Sequence, residues 1–215
     1  MAAEDDILNK VKEAREKAKK RKFPQTWDLI VSLKGIDLKK PENRFNLEFQ
    51  LPEGRGKDIK IAVIADSLAS KAEEEADFVI KKEDIDSLSK NPKKLKQVVE
   101  ENDWFFGEIG LMPMIGKALG QVLGPKGKMP KPLPPNANIK VFAENARKTV
   151  RIRLATTPVI QVPVGFENME DQKIASNINA LINFVKDKFP KGKNNIKAAY
   201  IKLTMGPAIK LPLKL

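Results

Sequence analysis

The side chains best suited to chemistry in this 215-residue chain stand close to its C-terminus. If Ile196 to Thr204 is a strand, alternate residues share a face. Lys197, Ala199, Ile201 and Leu203 then point one way, and Ala198, Tyr200, Lys202 and Thr204 the other. The second face sets an aromatic ring, a charge and a hydroxyl in a row. RNA is bound by such a mixture: flat apolar surface against bases and sugars, hydrogen bonds to the 2′-hydroxyl, cations on phosphate. Met205-Gly206-Pro207 follows at once, and a glycine there lets the backbone approach a partner closely. An ordinary half-exposed strand and turn is the plainer reading of the same residues.

Other chemistries are closed by composition. The chain has no His and no Cys. Zinc sites built on those ligands, nucleophilic triads and disulfide frameworks are thereby excluded, and so is the commonest general base near neutral pH. Carboxylate and lysine chemistry stay open. Gly124-Pro125-Lys126-Gly127-Lys128 looks like a phosphate loop, but the nucleotide motif needs Gly, four residues, then Gly-Lys-Ser/Thr. Here Met129 follows Lys128, and Val122 stands where the first glycine belongs. The dinucleotide fingerprint is missing as well, since Ile61–Ala65 runs into ADSLASK without glycines. Glu73, Glu74, Glu75 and Asp77 fall on different sides of a helix and read as a solvated edge. No cofactor and no metal are expected, and the chain is not read as an enzyme.

Charge points to a polyanionic partner. Lys and Arg number 40 against 28 acidic residues, a net charge of +12. Each phosphate neutralised by such residues releases condensed counterions, which favours nucleic acid. A Lys/Glu-rich solubility bias accounts for part of the excess. The first residues have no apolar core of the signal-peptide kind, and no segment approaches the roughly 20 apolar residues of a membrane span. A cytoplasmic location without membrane contact is the expectation.

These side chains need elements to hold them. Ile7, Val11, Ala14 and Ala18 recur at helical spacing and predict a helix from about Asp5 to Lys20, closed by Pro24. Lys10, Lys12, Arg15, Lys17, Lys19, Arg21 and Lys22 clothe the remainder, as a solvated face or an RNA contact. Trp27–Leu33 reads as a strand. Residues 44–51 alternate, with Phe45, Leu47, Phe49 and Leu51 towards a core, and the two strands are expected to pair antiparallel through GIDLKKPEN. After Pro52–Asp58 the pattern changes. Ile61–Ala65 is continuously apolar, the mark of a strand buried on both faces. Short strands at 78–80 and 104–106 alternate with helices near 71–75, 85–88, 92–101 and 114–123, which argues a small parallel sheet between helices. Gly124–Pro135 is expected to be an irregular loop carrying Lys126, Lys128 and Lys131. Alternation returns at Val150, Ile152, Leu154 and at Ile160, Val162, Val164. A helix over 170–189 and the strand 196–204 complete the chain. The expected fold class is α+β plus α/β in two domains. Residues 1–58 and 149–215 form a split α+β domain, with an inserted α/β domain at 59–148 and a hinge at the two crossings. A single mixed sheet is the alternative.

Several of these pieces also carry a family resemblance. They are Lys22-Phe23-Pro24-Gln25-Thr26 with Gly35-Ile36-Asp37, then Leu51-Pro52 with Gly54 and Gly56-Lys57. Ala76-Asp77-Phe78, GPKGKMP at 124–130, Val162-Pro163-Val164-Gly165 and Thr204-Met205-Gly206-Pro207 follow in order. The chain resembles the L-one family of large-subunit ribosomal proteins over almost its whole length, and its Lys/Glu-rich, Cys-free composition is similar to the archaeal branch. The resemblance implies a split first domain with a Rossmann-like insertion. It implies binding of large-subunit rRNA at the mobile stalk, help in releasing tRNA from the exit site, repression by binding the leader of its own mRNA, and a monomer off the ribosome. It carries the family's RNA site onto Thr204, Met205 and Gly206, with Phe23, Lys22 and Thr26. Here Phe23 and Met205 would pack on sugars or bases, and Thr204 would bond a 2′-hydroxyl. Lys22, Arg44, Tyr200 and Lys202 would surround them and hold phosphates. Lys126, Lys128 and Lys131 are secondary RNA-contact candidates. Two departures from bacterial members are Ala198, where many have serine, and a shorter N-terminus. An enzyme on the α/β domain and a non-selective nucleic-acid binder are the rival classes.

Overall fold

The computed structural model describes residues 2–135, 138–189 and 192–212. In chain order, α1 is Ala2–Lys17, β1 Thr26–Leu33, β2 Phe45–Gln50, β3 Ile61–Ala65 and α2 Ala69–Glu75. Next come β4 (Phe78–Lys81), α3 (Lys82–Lys90), α4 (Pro92–Glu101), β5 (Trp104–Glu108), α5 (Met112–Leu123) and β6 (Lys131–Leu133). The last elements are α6 (Ile139–Lys148), β7 (Thr149–Leu154), β8 (Val159–Phe166), α7 (Asp171–Lys188), β9 (Ile196–Leu203) and β10 (Ile209–Lys210). The chain divides into two compact units, residues 1–57 with 148–215, and residues 58–147.

In the unit built from both ends of the chain, the strand order is β10-β9-β1-β8, all antiparallel. A two-stranded antiparallel sheet pairs β2 with β7. The expected pairing of β1 with β2 does not form. β1 has both edges occupied, by β8 and by β9. Alternation told which side of each strand is buried, but that signal says nothing about which strand lies next door. β1 alternates cleanly, with Trp27, Leu29, Val31 and Leu33 buried. Against them pack Ile174, Ile178, Leu181 and Val185 of α7 and Ile7, Val11 and Ala14 of α1. Each fully buried Val, Leu or Ile contributes about 1.5–3 kcal/mol.

α1 stops at Lys17, three residues short of the expected end and well before Pro24. The apolar stripe explains this: Ala18 is its last member, and residues 19–24 are all exposed. No buried face remains to offset the cost of extending the helix. Within α1 three of the basic residues have partners. Lys10 and Lys17 both hold Glu13 at 2.6 Å, and Arg15 reaches across to the loop after β8. The paired lysines hold Glu13 well below the usual carboxylate range, at about 2.

The internal unit is a parallel sheet of order β4-β3-β5-β6. β3 is buried at all five positions, as a strand covered on both faces must be. Ala62 and Ile64 face the core shared with α3, α4 and α5, and Ile61, Val63 and Ala65 face the core shared with α2 and α6. α6, which no sequence reading anticipated, buries Ile139, Ala143 and Ala146. Two of those three are alanines, so hydrophobicity barely marks the face. The 124–135 segment is not wholly irregular, because β6 adds itself to β5. Pro132 is tolerated there since an edge strand needs only one side of its hydrogen-bonding capacity.

GPKGK ends α5. Gly127 adopts φ +65°, and the Lys128 N–H donates back to the Leu123 carbonyl at 2.9 Å. This is a left-handed turn satisfying the open carbonyls of a helix end, with the glycine chosen for its conformation. At the other end of the sheet, the turn after β3 is held by Glu108. Its carboxylate accepts the Asp66 and Ser67 N–H groups at 3.0 and 3.2 Å and the Ser67 hydroxyl at 2.7 Å. Those donors hold Glu108 below its ordinary pKa.

Candidate nucleic-acid interface

The face of β1 turned away from the core carries Thr26, Asp28, Ile30 and Ser32, all half-buried. Across the ladder β9 sets Lys202 opposite Asp28, Tyr200 opposite Ile30 and Ala198 opposite Ser32. On the other flank β8 sets Pro163, Gln161 and Val159 opposite the same three residues. Tyr200 and Lys202 are therefore brought side by side with the exposed Thr204 at the end of the strand. Lys197 departs from the expected alternation. It is exposed, whereas Ala199, Ile201 and Leu203 are buried. The register slips between Ser32 and Leu33, so Lys197 is the extra residue of a bulge and turns outward.

At the Thr26 end three loops meet. Gln25, only 3% exposed, ties them together. Its N–H donates to the Glu167 carboxylate at 2.8 Å, its carbonyl accepts the Glu167 N–H at 2.8 Å, and its side-chain oxygen accepts the Met205 N–H at 3.0 Å. Thr204 donates its N–H to the Thr26 carbonyl at 3.0 Å. The backbone bearing Met205 is thus fixed while its side chain stays 58% exposed. Phe23, two residues before Gln25, is 54% exposed, and Lys22 beside it is also exposed. Large apolar groups on fixed loops among cations suit contact with flat, polyanionic surfaces.

Gly206 has a duty within the fold. A Cβ placed there would lie 3.3 Å from the Ala18 Cβ and 3.4 Å from the Leu203 Cβ and carbonyl oxygen. The close approach is to the chain's own α1 end. Arg15 braces the same region from below. It donates to the Glu167 and Met169 carbonyls at 2.7 and 3.0 Å, pairs with Asp171 at 2.7 Å, and stacks 5.4 Å from the Trp27 ring centroid.

Sequence reasoning missed Asp28. The Thr204 hydroxyl lies 3.1 Å from an Asp28 carboxylate oxygen and 3.1 Å from the Thr26 carbonyl. A hydroxyl has one proton, so it donates to one of the two and keeps its lone pairs for an incoming donor. Burial pushes the Asp28 carboxyl above its ordinary pKa, against the lowering effects of Thr204 and Lys202. The signal was present, because Asp28 occupies the open parity of β1.

Not every candidate gathers here. Arg44 is exposed and donates to the Leu38 carbonyl at 2.6 Å, in the connection that leaves the Leu33 end of β1. That end lies about 23 Å from Thr26 at 3.3 Å per residue. The secondary candidates belong to the other unit, and each is engaged inside it. Lys126 pairs with Glu100 at 2.9 Å. Lys128 donates to the Val99 and Asn102 carbonyls at 2.7 Å, at the end of α4. Lys131 sits 4.3 Å from the Trp104 ring centroid. Among the described residues no cluster of acidic side chains is arranged to hold a metal, and no helix is long and apolar enough to cross a membrane.

Residues 13–207 match the model of the ribosomal protein L1p/L10e family. The large ribosomal subunit protein uL1 of Methanocaldococcus jannaschii is 52% identical over 206 residues, covering 95% of this chain and 94% of its own. The protein of the same name from Methanothermococcus thermolithotrophicus is 48% identical, covering 94% and 96%. That from Thermococcus kodakarensis is 45% identical, covering 95% and 96%.

Proposed function

Because the chain belongs to the ribosomal protein L1p/L10e family, we propose that it is a structural constituent of the large ribosomal subunit that binds rRNA through the Thr26 end of its terminal unit. In this reading the two compact units are an RNA-binding α+β domain and an inserted Rossmann-like domain. The observation that carries the reading is the pairing of Phe23 and Met205, both more than half exposed, with a backbone locked by Gln25. Phe23 and Met205 pack on sugars or bases. Thr204 accepts from a 2′-hydroxyl while donating its own hydrogen bond to Asp28 or the Thr26 carbonyl. Lys22, Tyr200 and Lys202 line the approach and hold phosphates. A preformed surface of this kind selects RNA by shape.

The rRNA target is the mobile stalk, from which the protein assists departure of exit-site tRNA. The same surface binds the leader of its own mRNA and represses translation. Off the ribosome it is a monomer. The enzyme reading has no support in the site, since its groups suit binding and the GPKGK segment is a helix end.

The test is binding to a structured rRNA stalk fragment beside an unrelated RNA of equal length, across a salt series. The expected result is a strong preference for the stalk that survives high salt, lost at least tenfold in Thr204→Ala and further in Met205→Asp. Equal affinities with equally steep salt slopes describe a generic polyanion binder and would remove the residue-level site.

A further inference from the structure

The opposite end of the terminal unit carries a second charged feature that the site above does not use. Lys34 follows β1 directly. Its N–H donates to the Asn195 carbonyl at 2.7 Å, and the buried Asn195 amide donates back to the Lys34 carbonyl at 3.2 Å. This double tie fixes the 192–195 turn, and Lys193 within it, against the start of the connection to β2. The bulge at Ser32/Leu33 turns Lys197 outward at the same place. Burial, and after it the charge of nearby Lys193, lower the pKa of Lys186 on α7. Lys34, Lys193 and Lys197 are all exposed. Asp187 is the acidic group that offsets Lys186, and Asp37 and Glu42 lie in the connection beyond Lys34.

A bulge and a double hydrogen bond therefore bring three exposed lysines to one end of the sheet, and a local excess of positive charge suits a phosphate backbone. We propose that Lys34, Lys193 and Lys197 form a second RNA contact, gripping the phosphate backbone of a helix that extends from the Thr204 site towards the Leu33 end of β1. The inference rests on the RNA-binding reading of that site. The spacing fits: the roughly 23 Å between the ends of β1 is a length over which a duplex presents on the order of ten phosphates. These contacts add affinity and carry no sequence information.

The test compares the full chain with its Lys34→Gln/Lys193→Gln/Lys197→Gln variant, on the stalk fragment and on an unrelated duplex RNA of equal length. Three lost phosphate contacts reduce the slope of log K against log salt by about 2.7. Wild type should then lose about forty times more affinity than the variant between 50 and 200 mM salt, on both RNAs, with the preference for the stalk unchanged. An unchanged slope overturns the second contact whatever the preference shows. A reduced slope in a protein without stalk preference keeps the second contact and removes the Thr204 site, so the two failures are distinguishable.

Discussion

Gly206→Ala isolates the part of the candidate site that belongs to the fold. Its Cβ would arrive 3.3 Å from the Ala18 Cβ and 3.4 Å from two Leu203 atoms. Ordinary contact needs a few tenths of an ångström more. One methyl forced into a packed place costs about 1 kcal/mol, the low end for overpacking. At about 2–4 °C per kcal/mol for a chain of this size, Tm should fall by about 3 °C. Ala18→Gly removes the opposing atom. Ala18 lies just past the end of α1, so on its own this change should lower Tm only slightly. The double variant should recover most of the loss in Gly206→Ala, giving a favourable coupling energy of about 1 kcal/mol in a four-way cycle of thermal melts. Additive effects, or an unchanged Tm in Gly206→Ala, would refute the argument that this glycine is required by the α1 end. RNA affinity of the double variant then separates a second role: full recovery of stability with lost binding assigns the remaining need for glycine to the partner.

Two further outcomes follow from buried polar groups. Asn177 is fully buried, donates to the Gly54 and Val164 carbonyls at 2.8 Å and accepts the Glu53 N–H at 3.0 Å. Asn177→Ala should cost about 3 kcal/mol through the polar groups left unpaired, seen as a fall of about 1 M in the urea midpoint; a fall below a third of that would mean water replaces the amide. The raised pKa of Asp28 means that the folded state holds this proton more tightly than the unfolded chain. Unfolding free energy therefore declines as pH rises through the raised value and stays lower at neutrality. Asp28→Asn should melt above wild type at pH 7, with the gap closing below about pH 4, in melts followed by circular dichroism; a gap independent of pH would place the effect elsewhere.

The sequence was most legible where burial follows a strict period. Trp27, Leu29, Val31 and Leu33, the apolar run at 61–65 and the wide stripe of α7 all lie where alternation or helical spacing puts them. Neighbour relations were not legible, because β1 pairs with residues more than 125 positions away, and nothing in a local window distinguishes β8 or β9 from β2. The site was half legible for the same reason. Tyr200 and Lys202 share one strand, with Thr204 directly after its end, and could be read together. Asp28 joined them only through a ladder partner, and Arg44 was placed by charge in a region that the ladder sends to the far end. Lys197 was misread because a bulge breaks parity without leaving a mark in residue type.

The strand at the centre of the terminal unit is made early and completed late. β1 lies between residues 159–166 and 196–203, so when it leaves the ribosome both of its hydrogen-bonding edges are open. One stays open until about 130 further residues have been synthesised and the other until about 170, whereas the segment that forms the internal unit is complete before either. Chain synthesis at about 5–20 residues per second leaves β1 exposed for roughly ten to thirty seconds. An unpaired strand of Val, Ile and Leu is a template for association with other chains. The exposed Lys19–Lys22 run that precedes it supplies charge at that moment, repelling a second nascent chain before there is any site for RNA to occupy.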